Sequence, residues 1–206
     1  MNAGRLAVVD YGAGNLKSVQ NALTRLGADF FVTSDPHELS RASGIVFPGV
    51  GEAASAMAEL RRTGLDDGIR EFFHSGRKML GICIGCQIVL ERSEESSAEC
   101  LGILGGTVRR FEPKQGWKIP HMGWNQAEFE GDHPVIKGYP GGRSFYFVHS
   151  YYPEPTRKED VCGWTNYITR FPSAIARDNF IAFQFHLEKS GEAGLELLGR
   201  FIAWKA

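Results

Sequence analysis

The sequence predicts a single α/β domain, a three-layer sandwich in which a mostly parallel central sheet is extended by antiparallel strands. Its 206 residues are 43% hydrophobic and 23% charged, which is ordinary usage for one compact domain with a substantial core. In the first half, short apolar runs alternate with segments of helical periodicity. After about residue 101, strand-like runs follow one another with glycine and proline between them. Because no repeat, low-complexity tract or linker interrupts the pattern, we expect one domain over residues 1–206.

The first half predicts strands and helices in alternation. Buried strands are expected at residues 6–10, 30–33, 44–47 and 79–82, where apolar residues run consecutively. Helices are expected at residues 16–26, 53–62, 65–74 and 86–91, with Gly27 as the C-terminal cap of the first. Right-handed crossovers between such strands produce a parallel sheet that is covered by helices on both faces.

The second half predicts further strands and one last helix. Strands are expected at residues 107–111, 126–129, 144–148, 173–177 and 180–185, and a helix at 191–204. We expect these strands to join the same sheet in antiparallel orientation.

The composition argues against several classes of function. The formal net charge is −1 and basic residues nowhere form a long cluster, so neither nucleic acid nor an anionic membrane is an expected partner. No segment approaches the roughly 18 apolar residues of a membrane span, and the first residues lack a signal-peptide pattern. The cysteines, at positions 83, 86, 100 and 162, are too unevenly spaced for a secreted disulfide framework. We therefore expect a soluble cytoplasmic protein with reduced thiols.

Cys83 is the candidate nucleophile. It is the centre of Gly81-Ile82-Cys83-Ile84-Gly85, which follows a predicted strand and precedes a predicted helix. This is the setting of a nucleophile elbow, in which a sharp turn strains the nucleophile and the flanking glycines let neighbouring chains come close. The thiol would project from the carboxyl edge of the sheet, and the start of the helix would favour a thiolate. A buried core thiol is the alternative interpretation, against which the glycines argue.

His186 is the candidate base. It ends the apolar run at residues 180–185 and is followed by Leu187 and Glu188. If the chain stays extended, residues 186 and 188 point to the same side, and the carboxylate can orient the imidazole as the third member of a triad. Taken alone, a His-x-Glu pattern is more often an ion pair at the surface end of a strand.

Pro48-Gly49-Val50-Gly51 is another glycine-rich turn at the end of a predicted strand. Glycines let the backbone turn its N–H groups toward a developing negative charge, as an oxyanion hole requires. By itself, an ordinary strand-to-helix turn is the favoured interpretation.

Together these segments resemble the class I (triad-type) glutamine amidotransferases. The resemblance rests on the turn at residues 48–51, on Gly81-Ile82-Cys83-Ile84-Gly85-Cys86-Gln87 and on Gln184-Phe185-His186-Leu187-Glu188-Lys189-Ser190. Asp10-Tyr11-Gly12-Ala13-Gly14-Asn15-Leu16 and His121-Met122-Gly123-Trp124-Asn125 narrow it to members that serve histidine biosynthesis. It covers essentially the whole chain, and it implies the fold of that family and the hydrolysis of glutamine.

The resemblance implies a role for each matching residue. Cys83 would attack the glutamine carboxamide and form a thioester, His186 would pass the proton to ammonia, and Glu188 would hold His186. The oxyanion hole would be formed by Gly49, Val50, Gly51 and the amide of Ile84. The substrate would be held by Gln87 and Glu95, and by a pocket lining of His149, Ser150 and Tyr151. No cofactor and no metal are implied.

The resemblance also implies a partner. In the family, ammonia passes to a separate barrel-shaped cyclase subunit, which converts a ribulosyl phosphate intermediate to imidazole glycerol phosphate and an aminoimidazole carboxamide ribotide. Such a barrel takes about 250 residues, so this chain would form a heterodimer with the cyclase. Trp124 and Lys189 lie in motifs expected around the mouth of the site, and we expect Trp124 to be the aromatic anchor of the interface. Core packing is the alternative interpretation of Trp124.

The sequence departs from the family pattern at three places. Leu187 stands where proline is usual, which alters neither side chain of the His–Glu pair. Cys86 stands where methionine is usual and creates a Cys-x-x-Cys pair with Cys83. A zinc site would need a second pair of cysteines at such a spacing, which Cys100 and Cys162 do not provide. A redox-active pair of Cys83 and Cys86 is an alternative interpretation. The segment Val161-Cys162-Gly163-Trp164-Thr165-Asn166-Tyr167 differs from the Ala-Thr-Thr/Ser-Asp-Tyr-Gly common in the family.

Three other functions fit part of the sequence. The turn at residues 12–14 resembles part of a dinucleotide-binding fingerprint, but Lys17 stands where its third glycine is required. A glutaminase subunit could feed a different synthase, for example one that amidates surface-polysaccharide sugars, and the neighbouring genes would separate this case. A scaffold or regulatory partner could retain the fold without activity, and the intact Cys83, His186 and Glu188 argue against it.

Overall fold

The computed structural model describes residues 4–12 and 14–206. The helices are α1 Leu16–Arg25, α2 Ala53–Thr63, α3 Leu65–His74, the single turn α4 Ile84–Gln87 and α5 Gly191–Ala203. The first strands are β1 Leu6–Val9, β2 Phe30–Thr33, β3 Gly44–Gly49 and β4 Lys78–Cys83. The later strands are β5 Arg92–Ser93, β6 Ala98–Glu99, β7 Gly106–Arg110, β8 His121–Gln126, β9 Glu128–Phe129, β10 Ser144–His149, β11 Tyr151–Pro155, β12 Val161–Asn166, β13 Arg170–Arg177 and β14 Phe180–Phe183.

The central sheet has the strand order β2-β1-β3-β4-β14-β13-β12-β9. Neighbours from β2 to β14 are parallel, and those from β14 to β9 are antiparallel. The predicted fold class, a mostly parallel sheet with an antiparallel extension, is confirmed.

Helices cover both faces of this sheet because its strands are apolar on both sides. In β1, Leu6 and Val8 enter the core that contains α1 and α5, whereas Ala7 and Val9 enter the core that contains α2 and α3. This is the alternation that the pleat of a strand imposes. The result is the predicted three-layer sandwich.

Two element predictions were wrong. The helix expected at residues 86–91 ends at Gln87, because the carbonyls of residues 88–90 accept hydrogen bonds from the loop at residues 101–104 instead of continuing a helix. The strand expected at residues 126–129 is interrupted: β8 runs through residues 121–126, and β9 is a separate two-residue strand.

The second half also forms more than one sheet, which corrects the expectation that all its strands join the central one. The strands β8 and β10 pair with each other, and a third sheet has the order β11-β7-β5-β6. β11 and β12 were not predicted. Pro153 and Pro155 lie in β11, and Gly163 lies at a β-bulge of β12, so both strands carry residues that usually mark turns.

Within the described ranges, no helix is both long and apolar enough to cross a membrane.

Candidate active site

The carboxyl ends of β3, β4 and β14 meet at one edge of the central sheet. Cys83 is the last residue of β4, and it stands opposite Gly49 at the end of β3. On its other side, Phe183 at the end of β14 stands opposite Ile82, so residues 184–186 emerge beside Cys83. Parallel strands bring distant parts of the chain to such an edge, where open α/β sheets bind ligands. The three segments singled out in the sequence therefore converge.

Cys83 has the backbone geometry of an elbow. Its φ of 55° and ψ of −106° lie in a region that L-residues rarely adopt. The flanking glycines are required by close approach. A Cβ at Gly81 would lie 2.6 Å from the carbonyl oxygen of Gly85, and a Cβ at Gly85 would lie 2.1 Å from that of Phe47. Because α4 is a single turn, the macrodipole of a long helix, expected from the sequence, is absent behind Cys83.

His186 and Glu188 form a buried pair. The Nδ1 of His186 lies 2.7 Å from Oε1 of Glu188, and both side chains are fully buried. The expected reason for this contact was wrong, because the chain is not extended here: residues 187–189 form a 3₁₀ turn, which brings the carboxylate back to the ring. Leu187, in the position usual for proline, is buried in the core.

Two further contacts hold the pair. The side-chain Nδ2 of Asn15 donates to Oε1 of Glu188. The backbone N–H of His186 donates to the carbonyl of Tyr146 at 3.0 Å. The carboxylate is thus fixed from the turn before α1, and the imidazole from β10.

The electrostatics favour a protonated His186. Burial by itself lowers the pKa of this imidazole, but attraction to a Cys83 thiolate and the contact with Glu188 outweigh burial and raise the pKa to about 10. Its Nε2 is buried, and no described group forms a hydrogen bond with it. Nε2 is therefore the N–H left available to a molecule bound beside the sulfur.

Cys83 and His186 line a cavity of about 270 Å³. Small-molecule sites usually span about 300–1,000 Å³, so this cavity suits a ligand as small as a single amino acid. Its other lining residues are Val50, Gly51, Ile84, Gln87, Glu95, Pro120, Val148, His149, Ser150 and Tyr151. A larger groove beside Arg109 is lined by no cysteine, serine or histidine and holds two surface ion pairs of that arginine.

The turn after β3 is shaped by its glycines. Gly51 has a φ of +106°, which favours glycine whatever the available space. Gly49 lies just behind the cavity, where a Cβ would lie 1.8 Å from the hydroxyl of Tyr11 and 1.9 Å from Cγ2 of Ile84. That hydroxyl is itself buried, without a hydrogen-bond partner among the described residues, and burial together with Cys83 raises its pKa.

Two of the predicted substrate-binding residues are anchored on one carbonyl. The Nε2 of Gln87 donates to the carbonyl of Tyr151 at 2.9 Å and to Oε1 of Gln184 at 2.9 Å, so both of its amide hydrogens have protein acceptors. His149 also donates to this carbonyl, through Nδ1 at 2.7 Å. Its Nε2 lies 3.0 Å from Nδ1 of His121. Burial lowers the pKa of His149 to about 3 and that of His121 to about 4, so both rings are neutral.

Glu95 also lines the cavity. Its Oε2 accepts a hydrogen bond from the backbone N–H of Ala53, the first residue of α2, at 2.8 Å. Burial raises its pKa. The carboxylate is thus partly desolvated and faces the cavity, as a group that binds a substrate ammonium must.

Met122 and Trp124 are exposed on β8, where Met122 stands opposite Val148 of the cavity lining. Trp124 is 59% exposed and Met122 is 64% exposed, so the interpretation of Trp124 as a core residue was wrong. Lys189 is also exposed. That Trp124 and Lys189 contact a partner stays a prediction.

Cys86, three residues after the candidate nucleophile, has a different setting. It is fully buried in the apolar core on the α2 and α3 face, and burial raises its pKa well above the ordinary value, with Cys83 and Cys162 contributing. None of the four cysteines forms a disulfide. Across residues 4–12 and 14–206, no group of three or more histidine, cysteine, aspartate or glutamate side chains is placed to hold a metal.

Sequence reasoning missed two residues of the site. Asn15 and Gln184 both lie in segments that carried the resemblance, yet neither received a role. In each case the available signal was a polar amide that follows a strand predicted to be buried, because a buried amide needs a hydrogen-bond partner. Ala13, in the first of these segments, lies outside the described residues.

Comparison with known proteins gives one consistent result. The family described as glutamine amidotransferase class-I matches residues 7–204. A protein of Nitrosococcus oceani named imidazole glycerol phosphate synthase subunit HisH is 48% identical, over 97% of each chain. A protein of the same name from Dehalococcoides mccartyi is 46% identical, over 96% of each chain. The solved structure of PurLQS from Thermotoga maritima superposes with a TM-score of 0.75 over 97% of this chain and 98% of that one, at 18% identity, which bears on the fold alone.

Proposed function

The chain belongs to the class I glutamine amidotransferase family, and we propose that it is the glutaminase subunit of an imidazole glycerol phosphate synthase. It hydrolyses glutamine to glutamate and ammonia, and it supplies the ammonia to a cyclase subunit in histidine biosynthesis. Identities of 46% and 48% over nearly the full length of relatives with that name favour this synthase over one that amidates sugars. The observation that carries the proposal is the strained Cys83 beside the buried His186–Glu188 pair in an amino-acid-sized cavity.

The first half-reaction forms a thioester. The Cys83 thiolate attacks the carboxamide carbon of glutamine, and a C–S bond forms while the carbonyl electrons move to oxygen. The backbone amides of Val50, Gly51 and Ile84 supply the donors for this oxyanion. His186 gives its Nε2 proton to the amide nitrogen, the C–N bond breaks, and ammonia leaves.

The second half-reaction releases glutamate. His186, now neutral at Nε2, takes a proton from water, and the hydroxide attacks the thioester carbon. The C–S bond breaks, so that glutamate leaves and the thiolate with its imidazolium partner is restored. Glu188, held by Asn15, keeps the ring oriented through both steps.

Substrate recognition follows from the charges around the cavity. The Glu95 carboxylate is suited to the α-ammonium group of glutamine, and Gln87 with the backbone of residues 149–151 completes the wall. The neutral state of His149 avoids a second positive charge beside that ammonium. The whole chain, residues 1–206, would act as one glutamine amidotransferase domain in the cytoplasm, where its buried thiols stay reduced.

The partner surface we propose is the exposed face of β8 that carries Met122 and Trp124. Trp124 lies on β8 two residues after Met122, which stands opposite Val148 of the cavity lining, and an exposed tryptophan is a frequent anchor of protein interfaces. Lys189 follows Glu188 directly and is exposed. Replacing Trp124 by alanine should weaken the complex with the cyclase by at least about tenfold, while the melting temperature of the free chain stays unchanged.

The deciding experiment measures glutamate release from glutamine by the chain alone, with the cyclase, and with the cyclase and its ribulosyl phosphate substrate. We expect slow turnover alone and strong stimulation in the full mixture, because channelled ammonia is useful only when the acceptor is present. High turnover by the isolated chain that the cyclase leaves unchanged would contradict the proposal.

A further inference from the structure

Gln184 contacts the sulfur of Cys83. The side chain is fully buried between Gln87 and Cys83, just beyond the end of β14. Its Nε2 lies 3.9 Å from Sγ of Cys83, and its Oε1 accepts the hydrogen bond from Gln87 at 2.9 Å. The triad chemistry described above makes no use of this amide.

The direction of the Gln184 amide is fixed by its neighbours. The carbonyl of Tyr151 can only accept hydrogen bonds, so the amide nitrogen of Gln87 must face it. That same nitrogen faces Gln184, and it requires an acceptor there, which is Oε1. The Nε2 of Gln184 therefore points toward the sulfur. Turning the Gln87 amide over would instead place its Oε1 2.9 Å from the carbonyl oxygen of Tyr151, and two acceptors would then be in contact.

An N–H group directed at a buried sulfur stabilises its charged form more than its neutral form. Two other titratable groups near Cys83, Tyr11 and Cys86, are buried, and burial raises the pKa of each. Neither of these neutral groups supplies a positive charge. Among the described residues, the Gln184 amide is the neutral donor within reach of the sulfur, because the Tyr11 hydroxyl forms no hydrogen bond.

We propose that Gln184 is a further catalytic residue, whose side-chain amide donates a hydrogen bond to the Cys83 thiolate and keeps the nucleophile ionised before substrate binds. Gln87 is then a positioning residue, which acts by holding Gln184. The kinetic consequence rests on the proposed glutaminase function, but the state of the thiolate does not.

The test measures how fast iodoacetamide alkylates Cys83 as a function of pH, with the modified residue identified by peptide mass mapping. Gln184→Met keeps the length of the side chain and removes the donor. We expect the midpoint of the pH profile to move up by about 1 unit, which matches the loss of a hydrogen bond to a charged group. An unchanged midpoint in a folded Gln184→Met protein would overturn the proposal.

Asn179→Leu is the matched control. Asn179 is a buried amide at the other end of β14, and its Nδ2 donates to the carbonyls of Phe73 and Arg77 at 2.9 and 2.6 Å. It should lower thermal stability as Gln184→Met does, yet leave the alkylation profile in place. An equal shift in both variants would show that lost packing, rather than the donor, moves the profile.

Gln184→Glu supplies a second variant of unchanged shape. Its carboxylate can still accept the hydrogen bond from Gln87, but its other oxygen faces the sulfur. Because an acceptor there disfavours the thiolate, alkylation at neutral pH should be slower than in Gln184→Met. Alkylation as fast as in the parent chain would contradict the proposal.

In the complex with the cyclase, Gln184→Met should lower kcat for glutamate release about tenfold and leave KM nearly unchanged. If the complex of the parent chain with the cyclase releases no glutamate at all, the proposed function fails. The alkylation shift decides the role of Gln184 in either case.

Discussion

The two walls of the cavity are built in opposite ways. On the wall formed by Gln87 and His149, with Gln184 and His121 behind them, buried polar side chains hydrogen-bond to one another or to the carbonyl of Tyr151. The wall formed by the turn after β3 depends on glycines, which leave no room for a side chain. Behind this wall, the Tyr11 hydroxyl is buried with no hydrogen-bond partner among the described residues. We call these the hydrogen-bonded wall and the glycine wall.

The difference separates two requirements of the same reaction. The hydrogen-bonded wall fixes the direction of neutral donors and acceptors, including the Gln184 amide beside the sulfur, so changes there should alter the ionisation of the nucleophile. The glycine wall offers backbone N–H groups to the oxyanion, so changes there should act through sterics. Cys83 stands where the walls meet, because Gly49 faces it from β3 and Gln184 from beyond β14.

The largest effect is expected at that junction. Cys83→Ala should lower glutamate release in the cyclase complex by at least about 10³-fold, because loss of the nucleophile removes the covalent path. In the same variant the pKa of His186 should fall below its present value of about 10, since burial then acts without the thiolate. A titration of His186 by NMR checks the second part, and residual turnover near that of the parent would break the assignment of Cys83.

The next largest effect is expected on the glycine wall. Gly49→Ala should reduce glutamate release about a hundredfold, because a Cβ that overlaps the Tyr11 hydroxyl and Ile84 must displace the oxyanion turn. Tyr11→Phe is the companion variant: it removes an unpartnered hydroxyl, so we expect thermal stability to rise slightly. Combined with Gly49→Ala it should recover part of the lost turnover. A Gly49→Ala protein with parental turnover would show that this wall tolerates a side chain.

A smaller effect is expected from acid on the hydrogen-bonded wall. The pKa values of His149 and His121, about 3 and about 4, lie below the ordinary 6.5, so between these values the unfolded chain binds protons that the folded chain does not. The free energy of unfolding should therefore fall as the pH drops from about 6.5 toward 4, by up to about 1.4 kcal/mol per unit for each histidine.

Denaturant unfolding at several pH values measures this slope, and His133 provides the control. Burial lowers its pKa to about 4 as well, but it packs against Trp204, away from the cavity. His149→Gln and His133→Gln should both flatten the slope, and only His149→Gln should also lower glutamate release. If His149→Gln and His133→Gln lowered glutamate release equally, the hydrogen-bonded wall would have no special role in activity.

The smallest effect is expected at Cys86. Cys86→Ala should leave glutamate release close to that of the parent, since this thiol packs in the apolar core and lines neither wall. A modest loss of stability, of about 1 kcal/mol, would reflect the smaller side chain. A loss of turnover equal to that of Cys83→Ala would instead favour a redox or catalytic Cys-x-x-Cys pair.

The parallel half of the fold could be predicted from the sequence because its signals are local. β1, β2 and α3 lie within one residue of the expected ranges, and Gly27 has the positive φ of a helix cap. The antiparallel half could not be predicted as well, since its strands pair over long distances in the chain. Nothing in residues 144–148 indicates that they pair with β8 and not with the central sheet.

The site shows the same limit. Cys83, His186 and Glu188 could be singled out because each belongs to a short motif, although the turn that joins the last two was not foreseen. The contributions of Asn15 and Gln184 depend on the direction of amides that meet partners more than a hundred residues away. Only a structure shows which atom of such an amide faces the nucleophile.

The most direct test of the central claim is the identity of the covalent intermediate. The complex of this chain with the cyclase and its substrate would be mixed with glutamine, stopped in acid during turnover, and mapped by peptide mass spectrometry. We predict a glutamyl thioester on Cys83 and none on Cys86, with the adduct lost in Cys83→Ala. A glutamyl group on another residue, or glutamate release with no adduct on Cys83 at any time, would contradict the account.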